Sequence, residues 1–168
     1  MLLPSEAQWE WACRAGTDTP LHYGDLDTDF SPFGNMADFT IRDLVYDVRD
    51  QYTPDIVPRD ARFNDKKLVT AEVGSYKPNA WGLHDMHGNV WEWTRSAYEP
   101  YPHYEYEQRY DTNDNGEKVA RGGSWYDRPK RCRSASRLSY PAWQKVYNVG
   151  FRIVFDTDNQ PQQFISKK

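Results

Sequence analysis

Gly82-Leu83-His84-Asp85-Met86-His87-Gly88-Asn89-Val90-Trp91-Glu92-Trp93 is the densest motif in this chain. Pro78-Asn79-Ala80-Trp81 leads into it and reads as a turn. Before the turn, Leu68 to Tyr76 is a short extended candidate. From spacing alone, Asp85 caps a turn and Glu92 makes an ordinary ion pair.

Outward from the motif, the clearest element lies near the start. Ser5 and Gln8 form an S-x-x-Q capping box, Trp9, Ala12 and Cys13 share a helical face, and Gly16 supplies a stop, which predicts a helix over 5–15. From Thr17 to Lys67 there are turn residues, prolines and scattered aromatics without convincing periodicity, so long loops pinned to a compact base are expected. On the C-terminal side, Tyr98, Tyr101, Tyr104, Tyr106 and Tyr110 crowd a Pro-containing loop, open to reading as an adaptable binding surface or as packing against neighbouring loops. A polar turn region, Asp111 to Glu117, follows. Val119 to Trp125 and Asn148 to Phe155 have strand character, and Cys132 to Arg137 alternates small and charged residues. Residues 1–155 read as one domain and 156–168 as a flexible tail.

Hydrophobic residues make up only 38% of the 168, yet aromatics reach 15%, so burial must come from large rings more than from Leu, Ile and Val. Trp9, Trp81, Trp91, Trp93 and Trp125 are expected in or near the core. The net charge of -4 arises from interspersed signs, which argues against nucleic-acid or polybasic membrane binding. No run approaches the roughly 20 apolar residues that span a bilayer, and Met1 to Glu6 lacks the build of a signal peptide. A soluble protein is expected.

Two cysteines, Cys13 and Cys132, exclude a CxxC motif or a multi-cysteine zinc site supplied by this chain alone, leaving one long-range disulfide or two buried thiols. The four histidines, His22, His84, His87 and His103, have no H-x-x-x-H spacing, so a non-haem iron site would need distant loops to converge. Ser124 lacks a nucleophile elbow, and the glycines before it read as close backbone approach beside a buried Trp125.

Four ordered segments then point one way: Leu3-Pro4-Ser5-Glu6-Ala7-Gln8-Trp9-Glu10-Trp11-Ala12, the Gly82–Trp93 motif, Arg121-Gly122-Gly123-Ser124-Trp125, and Asn148-Val149-Gly150-Phe151-Arg152. Over residues 2–155 their order and spacing resemble the sulfatase-modifying-factor family. That family includes formylglycine-generating enzymes, the partner domain of ergothioneine-pathway sulfoxide synthases and homologues without assigned activity. The resemblance implies an α+β, loop-rich, C-type-lectin-like fold with little regular secondary structure. It also implies that the front portion of the usual domain is missing, including a strand that pairs near the chain's end. A partner chain or a homo-oligomer would then complete the fold.

The resemblance carries sites as well. Asp85, Gly88, Val90 and Glu92 match one calcium site of the family, and Asn35, Met36, Asp65 and Lys67 a second, with Asn64 as the alternative to Asp65. Two carboxylate or amide side chains and two carbonyls per ion suit Ca²⁺. Cys13 and Cys132 match a structural disulfide of the family, and its formation would imply an extracytoplasmic setting. Trp125, Asp127, Arg128, Arg133 and Arg137 lie where the family's substrate groove runs, as candidates to hold a peptide or small-molecule ligand, against a bland ion-pair network.

One departure bears on chemistry. A formylglycine-generating enzyme binds copper through two closely spaced cysteines after the Gly-Gly-Ser-Trp/Tyr motif. Here Tyr126-Asp127-Arg128-Pro129-Lys130-Arg131-Cys132 follows, with Asp127 at the first thiolate position and too short a loop for the second. Copper or iron is not expected in this chain alone. The expected function is that of a calcium-stabilised, non-catalytic homologue binding a ligand, peptide or partner. The alternative is a metal-dependent oxidase completed by another domain or subunit.

Overall fold

The computed structural model describes residues 1–45, 57–100 and 116–155. Tyr101 to Tyr110, His103, most of the Asp111–Glu117 region and the 156–168 tail lie outside the described residues.

Helix α1 spans Glu6–Arg14, and both halves of the capping box form: Gln8 N–H donates to Ser5 Oγ and Ser5 N–H to Gln8 Oε1. Ala15 takes the left-handed conformation at its end, one residue before the expected glycine. Trp9 and Cys13 face inward, one turn apart. A 3₁₀ turn at Phe39–Ile41 runs into the short α2, Arg42–Val45.

The remaining regular structure is one sheet. Its strands are β1 (Trp91–Ala97), β2 (Glu117–Arg121), β3 (Arg137–Pro141) and β4 (Val149–Phe151), in the order β3-β2-β1-β4. β1 pairs antiparallel with β2, β2 antiparallel with β3, and β1 parallel with β4. The fold is therefore α+β with long loops.

Three strand expectations change. Val119 to Trp125 yields a strand that stops at Arg121, because Gly122 and Gly123 turn the chain at φ +100° and +81°. A Cβ on Gly123 would stand 2.3 Å from the Cys132 sulfur. Asn148 to Phe155 pairs regularly only over Val149–Phe151, after which Val154 makes a single antiparallel bridge with Leu2. Leu68 to Tyr76 forms no strand; its backbone instead serves side chains. Val69 O accepts from Asn35 Nδ2, Ala71 N donates to Asn89 Oδ1, and Gly74 N donates to Asp85 Oδ2. Those bonds hold the segment beside the motif without a sheet neighbour.

The core consists of Trp9, Cys13 and Met86 under α1, and Leu21, Phe30, Met36 and Cys132 under the loops. Trp91 is buried and Trp93 and Trp125 are half-buried, as their reading required, but Trp81 is exposed and packs edge-on against the more exposed Trp11 at 4.3 Å. Among the described residues no helix is long and apolar enough to cross a membrane.

Candidate functional site

The Gly82–Trp93 motif is a succession of tight turns. Asp85, Gly88 and Asn89 all have positive φ, and a Cβ on Gly88 would meet the Asn35 carbonyl oxygen at 2.1 Å, so only glycine permits the approach. Asn89 N–H then donates to that same carbonyl at 2.7 Å. The motif is thereby locked to the Asn35-Met36 loop, and the two proposed calcium sets sit on either side of one backbone junction.

In the first set, Asp85 uses Oδ2 to accept from Gly74 N, while its buried Oδ1 has no hydrogen-bond partner. Glu92 is heavily engaged: Arg152 donates from Nε to Oε2 at 2.5 Å and from Nη2 to Oε1 at 2.7 Å, and Trp9 Nε1 donates to Oε2 at 2.6 Å. One lone pair on Oε1 remains. Asp85, Gly88, Val90, Glu92 and Arg152 line a cavity of about 360 Å³. In the second set, Asp65 accepts from Met36 N and Lys67 N, both at 2.9 Å, and its own N–H is held by Asp38 Oδ2. Burial pushes its carboxyl up to about 6 against the opposing effect of those two N–H groups. Asn35 Oδ1 is buried and unpartnered. Asn64 is exposed, so Asp65 is the member of that pair that meets Asn35 and Met36. An orphaned buried oxygen in each set costs free energy unless a cation or water satisfies it, and oxygen donors of this kind fit Ca²⁺.

Past Gly122-Gly123, Asp127 turns inward and is 6% exposed. Its Oδ2 accepts from Trp91 Nε1 at 2.8 Å and from Ser124 Oγ at 2.6 Å, and Oδ1 pairs with Arg131 at 3.1 Å. Asp127 is thus held within the fold by Trp91, Ser124 and Arg131. Arg137 is likewise engaged, in a fork on Glu6 at 2.5 and 2.9 Å with its guanidinium over the Tyr98 ring. Both placements have one cause: a buried charge needs a partner, and here the partners are in the fold itself. Arg133 is exposed and donates to Lys130 O, Trp125 packs against Tyr126 and Tyr147, and Arg128 lines a separate cavity.

The two cysteines stand as free, buried thiols, the second of the two alternatives the sequence left open. Cys13 Sγ lies against His87 Nε2, Ser134 Oγ and Met86 O at 3.6 Å each, whereas Cys132 Sγ is aimed at Asp127 O. Burial pushes the Cys13 thiol up to about 12 and Cys132 well above its ordinary value, so neither offers a thiolate.

His87 was missed as a structural residue by the sequence reading. It is wholly buried, with Nδ1 2.7 Å from Cys132 O and Nε2 accepting from His22 N–H at 3.0 Å; burial pushes its imidazole down to about 3. Both ring nitrogens are spent, which leaves no lone pair for a metal. No cluster of three or more His, Cys, Asp or Glu suited to a metal occurs among the described residues.

With this geometry in hand, the chain can be set beside known proteins. The profile of the "Sulfatase-modifying factor enzyme 1-like domain" matches residues 1–157. The chain belongs to that family. The sulfatase-modifying-factor domain here is 32% identical over 163 residues to the formylglycine-generating enzyme of Streptomyces coelicolor, covering 93% of this chain and 47% of that one. It is 27% identical to the inactive C-alpha-formylglycine-generating enzyme 2 of Bos taurus, covering 95% and 45%. It is 28% identical to hercynine oxygenase of Mycobacterium tuberculosis, covering 92% and 32%. Among solved structures, Treponema denticola variable protein 1 superposes with a TM-score of 0.63 at 25% identity, over 89% of this chain and 45% of that one. This sulfatase-modifying-factor domain thus spans less than half the length of these relatives, whose names cover active, inactive and differently acting proteins.

Proposed function

We propose that this sulfatase-modifying-factor domain is a non-catalytic binding homologue, C-type-lectin-like in architecture and stabilised by calcium. One observation supports the reading: Asp127, which the resemblance puts where a formylglycine-generating enzyme presents a copper thiolate, is engaged by Trp91, Ser124 and Arg131. Copper does not suit the residues present, because it needs two adjacent soft thiolates and the two thiols here are buried, protonated and separately hydrogen-bonded. Calcium suits the oxygen donors of Asn35, Met36, Asp65 and Lys67 and of Asp85, Gly88, Val90 and Glu92. It would neutralise the Asp65 carboxylate and satisfy the two orphaned oxygens, fixing loops that have few regular backbone bonds. The inactive bovine relative supports a family in which this scaffold persists without the reaction. A partner chain or second copy completing the sheet edge at β4 belongs to the same reading, since Phe151 and Phe155 are left exposed there.

The test is an aldehyde assay on a Cys-x-Pro-x-Arg peptide with copper and, separately, iron supplied. No aldehyde is expected with either. Metal-dependent turnover would sink the non-catalytic reading and favour an oxidase.

A further inference from the structure

Beside the 3₁₀ turn Pro129–Arg131, Leu26, Asp27, Arg59, Asp60, Arg62, Arg128, Pro129 and Lys130 line a cavity of about 240 Å³. Four of these side chains are cationic and two are acidic. Both acids are engaged by one of the four: Arg62 takes Asp60 through Nε and Nη2 at 2.9 and 2.7 Å and Asp27 through Nη1 at 2.9 Å. Arg59 donates from Nη1 to Val57 O. Arg128 and Lys130 have no ion pair or side-chain hydrogen bond among the described residues, unlike their neighbour Arg131, which Asp127 holds. The chain as a whole carries a charge of -4, so a concavity that gathers two cations unpaired among the described residues, Arg128 and Lys130, runs against the global balance.

We propose that this cavity binds a small oxyanion through Arg128 and Lys130, with the Arg62–Asp60 fork as its rigid floor. The matching chemistry is a phosphate or carboxylate group: guanidinium presents paired donors to two oxygens, and ammonium adds a point charge. Leu26 and Pro129 give an apolar wall for the carbon body that bears the anion. A cationic peptide would be repelled by the same charges. The proposal rests on the binding reading above, yet the two fail separately, since aldehyde formation bears on Asp127 and anion binding on this cavity.

The full chain is titrated calorimetrically at low ionic strength with inorganic phosphate and, separately, with succinate. Saturable one-site binding of at least one anion is expected, with the phosphate arm indicating a phosphate ester and the succinate arm a carboxylate. Arg128→Gln and Lys130→Gln should each weaken it about tenfold, with unchanged unfolding midpoints because both side chains are exposed. Absence of saturable heat with both anions overturns the site. So does equal binding by the variants, or a response to either anion that chloride reproduces at matched ionic strength.

Discussion

Trp91 and Asp127, 36 residues apart in sequence, are joined by an indole N–H to carboxylate bond of 2.8 Å inside the core. The bond ties the first residue of β1 to the turn after Gly122-Gly123, and Ser124 Oγ donates to the same carboxylate oxygen, Oδ2. Asp127→Ala should therefore cost about 3 kcal/mol, because it strands a buried indole N–H and a hydroxyl together. Asp127→Asn keeps one acceptor and should cost about half of that. Urea unfolding of the two variants measures the difference, and an unshifted midpoint for the alanine variant would contradict the anchoring role.

Calcium should raise the melting temperature by about 5–10 °C over chelator at saturating concentration. Asp85→Asn is the cleaner probe of the first set, since asparagine tolerates the φ of +57° and keeps the acceptor for Gly74 N–H while losing the charge. Glu92→Ala would also strand Arg152 and Trp9 Nε1, so it destabilises with or without the ion. The quantity to compare is the calcium-dependent increment, which Asp85→Asn and Asn35→Ala should each reduce. Identical melts in calcium and in chelator would remove both sets.

Arg137→Ala is expected to act on folding and not on any ligand. Glu6 would lose its fork and keep only Arg121, whose Nε lies 3.6 Å from Oε1. Breaking a pair this buried costs about 3 kcal/mol. The check is a denaturation curve beside the phosphate and succinate titrations; a variant as stable as the parent but deficient in anion binding would return Arg137 to the ligand site.

Neither thiol should react with iodoacetamide in the native protein, and both should react in denaturant without reductant. A non-reducing peptide map that finds Cys13 joined to Cys132 would refute this. The Cys13 shift also sets a pH dependence. Its folded-state value, about 12, lies above the 9.0 of an ordinary thiol, so above pH 9 the unfolded chain releases a proton that the folded one retains. Stability is unaffected by this group below pH 9 and declines as pH rises from 9 to about 12, with a slope of at most one proton. Cys13→Ala should flatten that part of the profile.

Local signals were readable where local chemistry determines the outcome. The Ser5–Gln8 box and the inward face of α1 follow from spacing and side-chain reach, whereas the strand read through to Trp125 ends at Arg121, where Gly122 and Gly123 turn the chain. β3 was missed because Arg137-Leu138-Ser139-Tyr140-Pro141 has no clear alternation and owes its strand form to the five-residue register with β2. Leu68 to Tyr76 was misread for the complementary reason: its composition is extended, but its hydrogen bonds go to Asn35, Asn89 and Asp85, whose convergence no window of sequence displays. The same holds at the candidate site. Asp85, Asn35 and Asp65 were singled out through the family resemblance, whereas the capture of Asp127 by Trp91 and of Arg137 by Glu6 depends on contacts across 36 and 131 residues. Likewise, His87 looked like a spare imidazole until its partners, Cys132 O and His22 N–H, were in view.

The reciprocal bridge between Leu2 and Val154, with N–H to O distances of 3.0 and 2.8 Å, brings residues from the two ends of the described fold side by side. The backbone at Leu2 and the backbone at Val154 therefore share one place in the fold. A clasp of only two backbone bonds ties the lead-in to α1 to the run after β4, and a pairing that short is where the described fold opens at least cost.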